Sequence, residues 1–364
     1  MGQSCFFIAT SWGAKAVPDQ FFALAHELSN RGHRVVILVD GQQQEAENHL
    51  ANPAIYTWPS LRPTHLHDAF FLYRLIRKHQ PCALVSNFGA TNLMMLLGRL
   101  MKVRCRVAWY HTLTSAVDID REMLGIKLRL LRFRKRLVYD WATHLVPVSD
   151  AARLDLQLNF HVPPHKCRVF YNSLLDPLTT SSSAETRDNG ICLGRFWRTK
   201  GQDVLLQALA LLNGEAPAVD FIGEGPAKSA LIRQTHELGL DRKCRFFEPV
   251  SHETAIAKIA SAKMTLLPSR SDNCPLVAIE SLAVGTPIIA SRVGGIGEII
   301  RDGLDGFLVP PNNPEVLASK IRILTTDAAL RNTLSQNARK RFLEKFEQRR
   351  NVKAQADWLE NITS

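Results

Sequence analysis

Two cations in the second half of the chain have a spacing that suits a diphosphate group. Arg195 and Lys200 stand five residues apart at the turn after an apolar run, so both side chains could point into one cleft. Guanidinium and ammonium groups bind phosphate oxygens through charge-assisted hydrogen bonds. Gly194, just before them, would let a ligand approach the backbone. The alternative is that both cations are solvated surface charges.

A second loop offers backbone donors instead of charged side chains. Gly223-Glu224-Gly225-Pro226 follows an apolar strand and opens a helix, so its N–H groups could face an anion. The loop lacks the third glycine of the GxGxxG motif that binds dinucleotides. A plain tight turn explains the same residues.

Two carboxylates eight residues apart flank the start of a predicted helix. Pro275 suits the first helical position, which predicts that the helix begins there. Asp272 precedes it, and Glu280 lies five residues inside, on the side of Leu276. The two acids could bind the hydroxyl groups of two rings, and the helix N-terminus between them favours a negative group. The simpler interpretation is an N-capping aspartate and an exposed helical glutamate.

These residues follow strands in a chain whose apolar runs alternate with amphipathic segments. Predicted strands cover 4–9, 34–39, 83–86, 104–109, 144–148 and 168–171, and then 191–194, 220–223, 245–247, 263–267, 287–291 and 306–309. Predicted helices lie between them, including one over 122–141 and one over 253–260, and three more close the chain. Uniformly apolar strands that alternate with helices are typical of parallel sheets covered on both faces.

A small, polar and uncharged stretch, Thr179–Ala184, interrupts this rhythm and has the composition of a linker. We therefore predict an α/β chain of two doubly wound Rossmann-like domains, residues 1–177 and 187–345, joined by a linker over 178–186. Ligands of such sheets bind beyond the carboxyl ends of the strands. Two facing domains would form a cleft of the kind in which substrates bind.

The order of these motifs resembles glycosyltransferase family 4. The shared pattern is Gly-Arg-x4-Lys-Gly, Gly-x-Gly-Pro, acid-x7-Glu, Gly-Thr-Pro-Ile-Ile-Ala-Ser-x-Val-Gly-Gly and Arg-Asp-Gly-Leu-Asp-Gly-Phe-Leu-Val-Pro-Pro-Asn, close from Gly194 to about Phe346 and looser before. The resemblance implies the GT-B fold, with two Rossmann-like domains facing across a cleft and the last helix, 346–364, returning to the first domain. It also implies a retaining enzyme that uses a nucleotide-diphosphate sugar as its donor.

Carried onto this chain, the family pattern gives the motifs their roles. Arg195 and Lys200 would neutralise the leaving diphosphate. Glu280 would bind the ribose hydroxyls, and Asp272 the hydroxyls of the transferred sugar. Further donor contacts would come from Gly194, Gly223 and the backbone N–H groups of Asn273, Cys274 and Leu276. Asp272 and Asn273 stand where many members have Glu and Gly, which leaves the identity of the sugar open.

The first half matches the family at fewer positions. Gly13 fits a glycine-rich loop after the first strand, where it would contact the donor. His111 follows a strand at the place where members often carry an active-site histidine, and we predict a catalytic role for it. The segment 171–173, Tyr-Asn-Ser, is similar to the Pro-Asn-Gly hinge that precedes the second domain.

A pair of acids, Asp118 and Asp120, needs a separate interpretation. Asp-x-Asp binds a metal in the other main glycosyltransferase fold, the GT-A type. Here we expect the pair to lie in a loop before a basic helix. Arg195 and Lys200 could neutralise the diphosphate without a metal. We therefore predict no metal, and no cofactor apart from the nucleotide-sugar donor.

The net charge of +11 is concentrated in one segment. Between Arg99 and Arg136, eleven bases and three acids give +8, and large apolar residues are interleaved with them. A basic amphipathic segment can lie on an anionic membrane surface. Because family members that act on lipid-linked acceptors often have such a patch, we predict peripheral contact with the cytoplasmic face of a membrane. The alternative is that the apolar residues face the core and the bases are solvated.

Composition excludes several classes of protein. With 46% hydrophobic and 22% charged residues, the chain is neither disordered nor fibrous. No apolar window is long enough to span a membrane, and the N-terminus lacks the pattern of a signal peptide. Seven cysteines without a CxxC pair indicate neither a zinc ribbon nor a disulfide framework. We therefore expect a cytoplasmic protein.

Three functions remain to be compared. A nucleotide-cofactor dehydrogenase is disfavoured because neither half begins with a strand that leads into GxGxxG. A basic nucleic-acid- or polyanion-binding protein without catalysis is compatible with the charge, but no nucleic-acid module signature is present and we expect no nucleic-acid partner. The favoured prediction is a retaining glycosyltransferase of the hexosyl type. Its acceptor would be a lipid-linked glycan or a polysaccharide of the cell surface, such as lipopolysaccharide.

Overall fold

The computed structural model describes residues 3–12, 16–40, 48–121, 126–179 and 189–364. The chain divides into two compact units. The first comprises Met1–His111, Met123–Asn172 and Gln348–Ser364, and the second comprises Thr112–Glu122 and Ser173–Glu347. This division falls inside the segment that is similar to the family's hinge. The predicted linker lies mostly outside the described residues and stays a prediction.

Strands and helices alternate through both units over the residues that the structure describes. The strands are β1 (Cys5–Thr10), β2 (Arg34–Val39), β3 (Ala54–Thr57), β4 (Ala83–Ser86), β5 (Cys105–Tyr110), β6 (His144–Pro147), β7 (Asn189–Leu193), β8 (Ala218–Ile222), β9 (Cys244–Phe247), β10 (Met264–Leu267), β11 (Ile288–Ser291) and β12 (Gly306–Val309). The helices are α1 (Ala16–Asn30), α2 (Leu66–His79), α3 (Thr91–Leu100), α4 (Thr114–Arg121), α5 (Ile126–Trp141), α6 (Asp150–Phe160), α7 (Gln202–Ala210), α8 (Lys228–Glu237), α9 (His252–Ser261), α10 (Leu276–Val284), α11 (Ile296–Ile299), α12 (Pro314–Thr326), α13 (Ala328–Lys345) and α14 (Gln348–Thr363).

The first unit is built on a parallel sheet of strand order β3-β2-β1-β4-β5-β6. Its central strands are buried on both faces, with Phe6, Phe7 and Ile8 fully excluded from solvent, as expected of a doubly wound sheet. The topological switch point therefore lies between β1 and β4. The last helix, α14, packs against α1, and Arg31 donates to carboxylate oxygens of Asp357 and Glu360 at 2.6 and 2.8 Å.

The second unit repeats this topology with the order β12-β11-β10-β7-β8-β9, so its switch point lies between β7 and β10. Its core includes Phe196, Phe221 and the leucines of α7. Helix α10 is buried from Ala278 to Ala283. The hydroxyl of Ser281 ties this helix to β10 by donating to Thr265 Oγ1 at 2.8 Å. The two sheets confirm the predicted α/β fold class of two Rossmann-like units.

Some predicted elements were wrong at their edges. The segment 168–171 is not a strand. Two of its amides donate to the carbonyls of Leu145 and Pro147 in β6, but the isolated β-bridge to β6 is formed by Cys167, just before the segment. The prediction missed β3, because four half-buried residues are too short to show alternation. Helix α10 begins at Leu276, since Pro275 has an extended ψ of 126° and occupies the capping position instead of the first turn.

The expected loop position of Asp118 and Asp120 is wrong, because helix α4 covers both acids. The predicted helix over 122–141 is present from Ile126 onward as α5, and residues 122–125 lie outside the described residues. Because α4 is grouped with the second unit, Asp118 and Asp120 belong to that unit although they precede the hinge in sequence.

Candidate functional site

The carboxyl ends of β7 and β10 bring Lys200 and Asp272 into contact. Lys200 Nζ donates to Asp272 Oδ2 at 2.5 Å, and Ser269 Oγ donates to the same oxygen at 3.2 Å. Both charged side chains are largely buried. Because β7 and β10 flank the switch point of the second unit, this ion pair lies where doubly wound sheets bind their ligands.

Close backbone contacts fix the loops that carry this pair. A Cβ on Gly201, whose φ is +64°, would lie 2.1 Å from the carbonyl oxygen of Pro268. A Cβ on Gly294, whose φ is +49°, would lie 1.8 Å from the carbonyl oxygen of Asp272. Only glycine fits such approaches and such backbone angles. The loops after β7, β10 and β11 therefore hold one another in place.

The Gly223 loop packs against the Gly194 loop in the same way. A Cβ on Gly223 would lie 2.1 Å from the carbonyl oxygen of Gly194, and the amide of Phe196 donates to the carbonyl of Glu224 at 2.7 Å. This packing accounts for glycine at 223, whereas a Cβ on Gly194 would meet nothing within 4 Å and its φ of +151° is what favours glycine. Their predicted role in donor binding stays a prediction.

Arg195 lies on the surface of this edge. Its guanidinium carbon is 5.6 Å from the ring centre of Trp197, and its carbonyl accepts a hydrogen bond from Gln202 Nε2 at 3.0 Å. Among the described residues it forms no ion pair. The two predicted cations therefore differ, because Lys200 is held by a carboxylate whereas Arg195 rests on an aromatic ring.

Glu280 is buried in α10 and faces a partner that the sequence analysis missed. Its Oε1 lies 3.0 Å from Nε2 of His252, the first residue of α9. This excludes the simpler interpretation of an exposed helical glutamate. The available signal was a capping serine, Ser251, whose hydroxyl accepts the amide of Thr254 at 3.2 Å and marks a helix start at His252.

The remaining predicted donor contacts surround the start of α10. Asn273 and Cys274 are buried, and the amide of Asn273 donates to Asp272 Oδ1 at 3.2 Å. Asp272 is not the cap of the helix, since Pro275 occupies that position and no side chain caps it. The role of the amides of Asn273, Cys274 and Leu276 toward a donor stays a prediction.

The two acids of α4 serve the second unit. Asp120 accepts both the amide and the hydroxyl of Thr199, at 3.1 and 3.0 Å. Asp118 lines a cavity of about 650 Å³ together with Ile119, Arg198, Asp203, Arg270, Pro311 and Asn312. In the described part of the chain, no cluster of three or more His, Cys, Asp or Glu side chains could hold a metal ion.

His111 directly follows β5 of the first unit. Its ring stacks on Phe88 with 4.7 Å between ring centres. Desolvation by the surrounding protein lowers the pKa of His111 to about 4. The imidazole is therefore neutral at pH 7 and offers one donor and one acceptor.

A cavity of about 430 Å³ lies at the switch point of the first unit, between the ends of β1 and β4. Thr10 and Asn87 line it, and their buried hydroxyl and amide have no hydrogen-bond partner among the residues that are described. Phe88 follows with a φ of +50°, a strained angle for a residue with a side chain. The predicted donor contact Gly13 lies outside the described residues.

Two family models match most of the chain. Residues 181–341 match the model described as glycosyl transferases group 1, and residues 20–174 match the model described as glycosyltransferase family 4. The chain belongs to glycosyltransferase family 4. This confirms the family that the motif order indicated.

Curated relatives and solved structures similar to this chain cover different shares of it. A D-inositol 3-phosphate glycosyltransferase of Salinispora arenicola is 35% identical over 159 residues, which are 41% of this chain and 36% of that protein. The chain thus matches about a third of the length of this curated relative. Sucrose-phosphate synthase from Thermosynechococcus elongatus has a TM-score of 0.79 at 18% identity, covering 99% of both chains. Anabaena Alr3699/HepE in complex with UDP has a TM-score of 0.78 at 16% identity, covering 99% of this chain and 100% of that one. These neighbours confirm the GT-B fold.

In the basic segment Arg99–Arg136 of this family member, some side chains bond within the first unit and others are exposed. Arg104 donates to the carbonyl of Thr363 at 3.1 Å, and Arg106 to that of Trp141 at 2.7 Å, so both act within the first unit. Farther along, Leu130 and Phe133 of α5 are exposed, against the alternative in which all apolar residues face the core. None of the described helices is both long and apolar enough to cross a bilayer.

Proposed function

We propose that this chain transfers a hexosyl group, with retention of configuration, from a nucleoside-diphosphate sugar to a lipid-linked or polysaccharide acceptor. The observation that carries the proposal is the Lys200–Asp272 pair at the switch point of the second unit. Family membership supports it. So do the complexes of the Anabaena neighbour, which contain UDP and UDP-glucose.

The donor would lie across the loops of the second unit. Lys200 and Arg195 would stabilise the negative charge that develops on the diphosphate as the bond to the sugar breaks. Asp272, already bonded to Lys200, would accept hydroxyls of the transferred sugar. Glu280 would accept the ribose hydroxyls, with His252 holding its carboxylate in place.

Retention follows from attack on the face that the diphosphate leaves. The acceptor oxygen forms its bond to the anomeric carbon as the bond from that carbon to the phosphate oxygen breaks. The hydroxyl proton passes to the departing diphosphate, so no protein nucleophile is needed. Lys200 contributes by lowering the energy of the leaving group.

The acceptor would bind to the first unit. Its switch-point cavity lies near His111 in space, because Phe88 lines the cavity and stacks on that histidine. A neutral His111 would exchange a hydrogen bond with a sugar hydroxyl. An acceptor of the cell surface, including lipopolysaccharide precursors, would place the reaction in the cytoplasm at the inner face of the membrane.

No divalent metal is expected in the reaction. The proposal assigns the diphosphate charge to Arg195 and Lys200, and Asp120 is already bonded to Thr199. Activity should therefore persist in excess chelator. Complete loss that magnesium or manganese restores would contradict this assignment.

A thermal-shift panel of nucleoside diphosphates and their sugars tests the proposal. A ligand at 100 times its Kd stabilises the folded protein by ~2.7 kcal/mol. We expect one base and one sugar to be selected, and UDP and UDP-glucose are the first to test. The selected donor should then yield a glycosylated product that keeps its anomeric configuration. Absence of any shift across the panel would refute a nucleotide-sugar donor.

A further inference from the structure

Helix α2 of the first unit exposes an apolar stripe. Leu66, Phe70 and Tyr73 stand at positions i, i+4 and i+7, which share one side of a helix, and their exposed fractions are 90%, 56% and 43%. The opposite side of α2 is buried through Leu72 and Ile76. One side of the helix is therefore buried in the first unit, while three large apolar side chains on another side are exposed to solvent.

The charges around this stripe have a single sign. Between residues 60 and 80 the exposed charged side chains are Arg62, Arg74, Arg77 and Lys78. The acid in this range, Asp68, is fully buried and accepts the amides of Thr64 and His65 at 3.0 and 2.9 Å. The guanidinium of Arg74 lies 4.6 Å from the ring centre of Phe70, so charge and apolar surface are adjacent.

Helix α5 of the same unit also exposes apolar side chains. Helix α2 packs against α3, and α3 packs against α5, so the three form one layer on the sheet. The layer also exposes Leu130 and Phe133 of α5, among the exposed bases Arg129, Arg134 and Arg136. Exposed basic and apolar side chains therefore occur together on α2 and on α5.

We propose that the outer surface of α2 docks on an anionic lipid bilayer, with Leu66, Phe70 and Tyr73 entering the headgroup region. Apolar side chains flanked by cations are the composition that binds such an interface. The positive charge complements anionic lipid and opposes pairing with a second copy of the same basic surface.

Docking through α2 would bring a lipid-linked acceptor to the cavity of the first unit. Leu61 and Arg62 line that cavity, and the same loop contacts α2 through Trp58 and Phe71, whose ring centres are 5.5 Å apart. This consequence deepens the proposed function and rests on it, whereas the docking itself can be measured without any transfer reaction.

Co-sedimentation with phosphatidylcholine vesicles, with and without 30% phosphatidylglycerol, tests the docking surface. The full chain should sediment with the anionic vesicles only. Changing Leu66, Phe70 and Tyr73 together to Gln should lower the partition coefficient at least tenfold at physiological salt. Changing Arg74, Arg77 and Lys78 to Gln should lower it about a hundredfold at low salt, at ~1 kcal/mol for each charge and ~1.4 kcal/mol for each decade.

A matched control uses exposed apolar residues of the second unit. Ile232, Leu304 and Leu343 are 45%, 52% and 45% exposed, and changing them to Gln should leave sedimentation unchanged. The proposal would be overturned if the stripe variant, the one with Leu66, Phe70 and Tyr73 changed to Gln, and this control variant lost vesicle binding equally, or if the wild type did not bind anionic vesicles. The proposal would also be overturned if sedimentation velocity showed a wild-type dimer and a monomeric stripe variant. The stripe would then be an interface between copies.

Nucleotide binding separates this proposal from the proposed function. The stripe variant should keep the thermal shift with the donor nucleotide that the wild type shows. Vesicle binding without any nucleotide shift would refute sugar transfer and leave the docking surface standing. A nucleotide shift without vesicle binding would refute the docking surface alone.

Discussion

The two units share one strand order but place different chemistry at their switch points. In the second unit, Lys200 and Asp272 form an ion pair on loops locked by glycine contacts. In the first unit, the equivalent edge carries an aromatic residue, Phe88, and a buried amide, Asn87, that has no partner among the described residues. One edge is charged and fixed, whereas the other is a cavity with unsatisfied polar groups.

The comparison teaches that the sheet supplies only the location of a site. The cations at the second edge suit a diphosphate, whose negative charge must be stabilised when it departs from the sugar. At the first edge, the ring of Phe88 and the uncharged polar groups of Thr10 and Asn87 suit a sugar ring, which carries no charge. The loops after the strands, rather than the strands, make this difference.

The largest expected effect comes from removing the cation of the charged edge. Lys200→Ala should lower kcat by about 10²–10³-fold, because the contact strengthens as the diphosphate leaves. Arg195→Ala should lower it by a similar order. Lys340→Ala, a change to an exposed lysine of α13 that lies 3.9 Å from Glu344, serves as the control. Rates within threefold of wild type for both site variants would contradict the assignment.

The first unit should lose stability in acid because it holds neutral histidines. Burial lowers the pKa of His79 from its ordinary value of 6.5 to about 4. Its unfolded form binds the proton first, so stability is complete above about pH 6.5 and falls as the pH drops toward 4. The shift corresponds to about 3 kcal/mol.

Tryptophan fluorescence can isolate this effect. Five of the six tryptophans lie in the first unit, and Trp197→Phe removes the sixth. Chemical unfolding at pH 7, 5.5 and 4 should show the loss, and His79→Gln should reduce its pH dependence. His236→Gln, at an exposed histidine, is the control. An unchanged pH dependence in His79→Gln would show that His79 is not responsible.

The locked loops of the second unit can be tested with two glycines of nearly equal backbone angle. Gly201 has a φ of +64° and meets the carbonyl of Pro268, whereas Gly239 has a φ of +67° and nothing within 4 Å. Gly239→Ala should cost about 1–2 kcal/mol from the backbone angle alone. Gly201→Ala should cost about 2 kcal/mol more, since the carbonyl must move. Equal midpoints in chemical unfolding would show that the contact is not tight.

The smallest effect is expected at Glu280. Glu280→Gln keeps the shape of the side chain but weakens hydrogen bonds from the ribose, so donor affinity should fall about tenfold. The variant should also discriminate less between the nucleotide and its 2′-deoxy analogue. Titration calorimetry measures both, with Glu344→Gln as an exposed control. Unchanged discrimination would place the ribose elsewhere.

The fold was predictable because buried strands leave a strong pattern. Apolar runs such as Arg34–Val39 and the helices between them predicted both parallel sheets, and the family confirmed the GT-B class. The short edge strand β3 was missed because four half-buried residues carry little periodicity. The sequence analysis placed the acids of α4 in a loop. Their local sequence gives no sign that Asp120 bonds to Thr199, which lies 79 residues away in the chain.

The candidate site was predictable only in part. The motif order placed Lys200 and Asp272 after strands that the topology brings together, and Glu280 inside the helix that follows. It did not show that Lys200 and Asp272 would pair directly, or that His252 would contact Glu280. Such contacts join segments distant in sequence, and they depend on loop geometry that a single sequence does not encode in any local pattern.

Direct binding of a nucleoside diphosphate to the charged edge tests the central claim. Titration calorimetry should show one molecule of UDP, GDP or ADP bound by each wild-type chain, with at least tenfold weaker binding to Lys200→Ala and unchanged binding to Lys340→Ala. A wild type that binds none of the three, or a Lys200→Ala variant that binds as tightly as wild type, would contradict the claim that this edge holds the donor diphosphate.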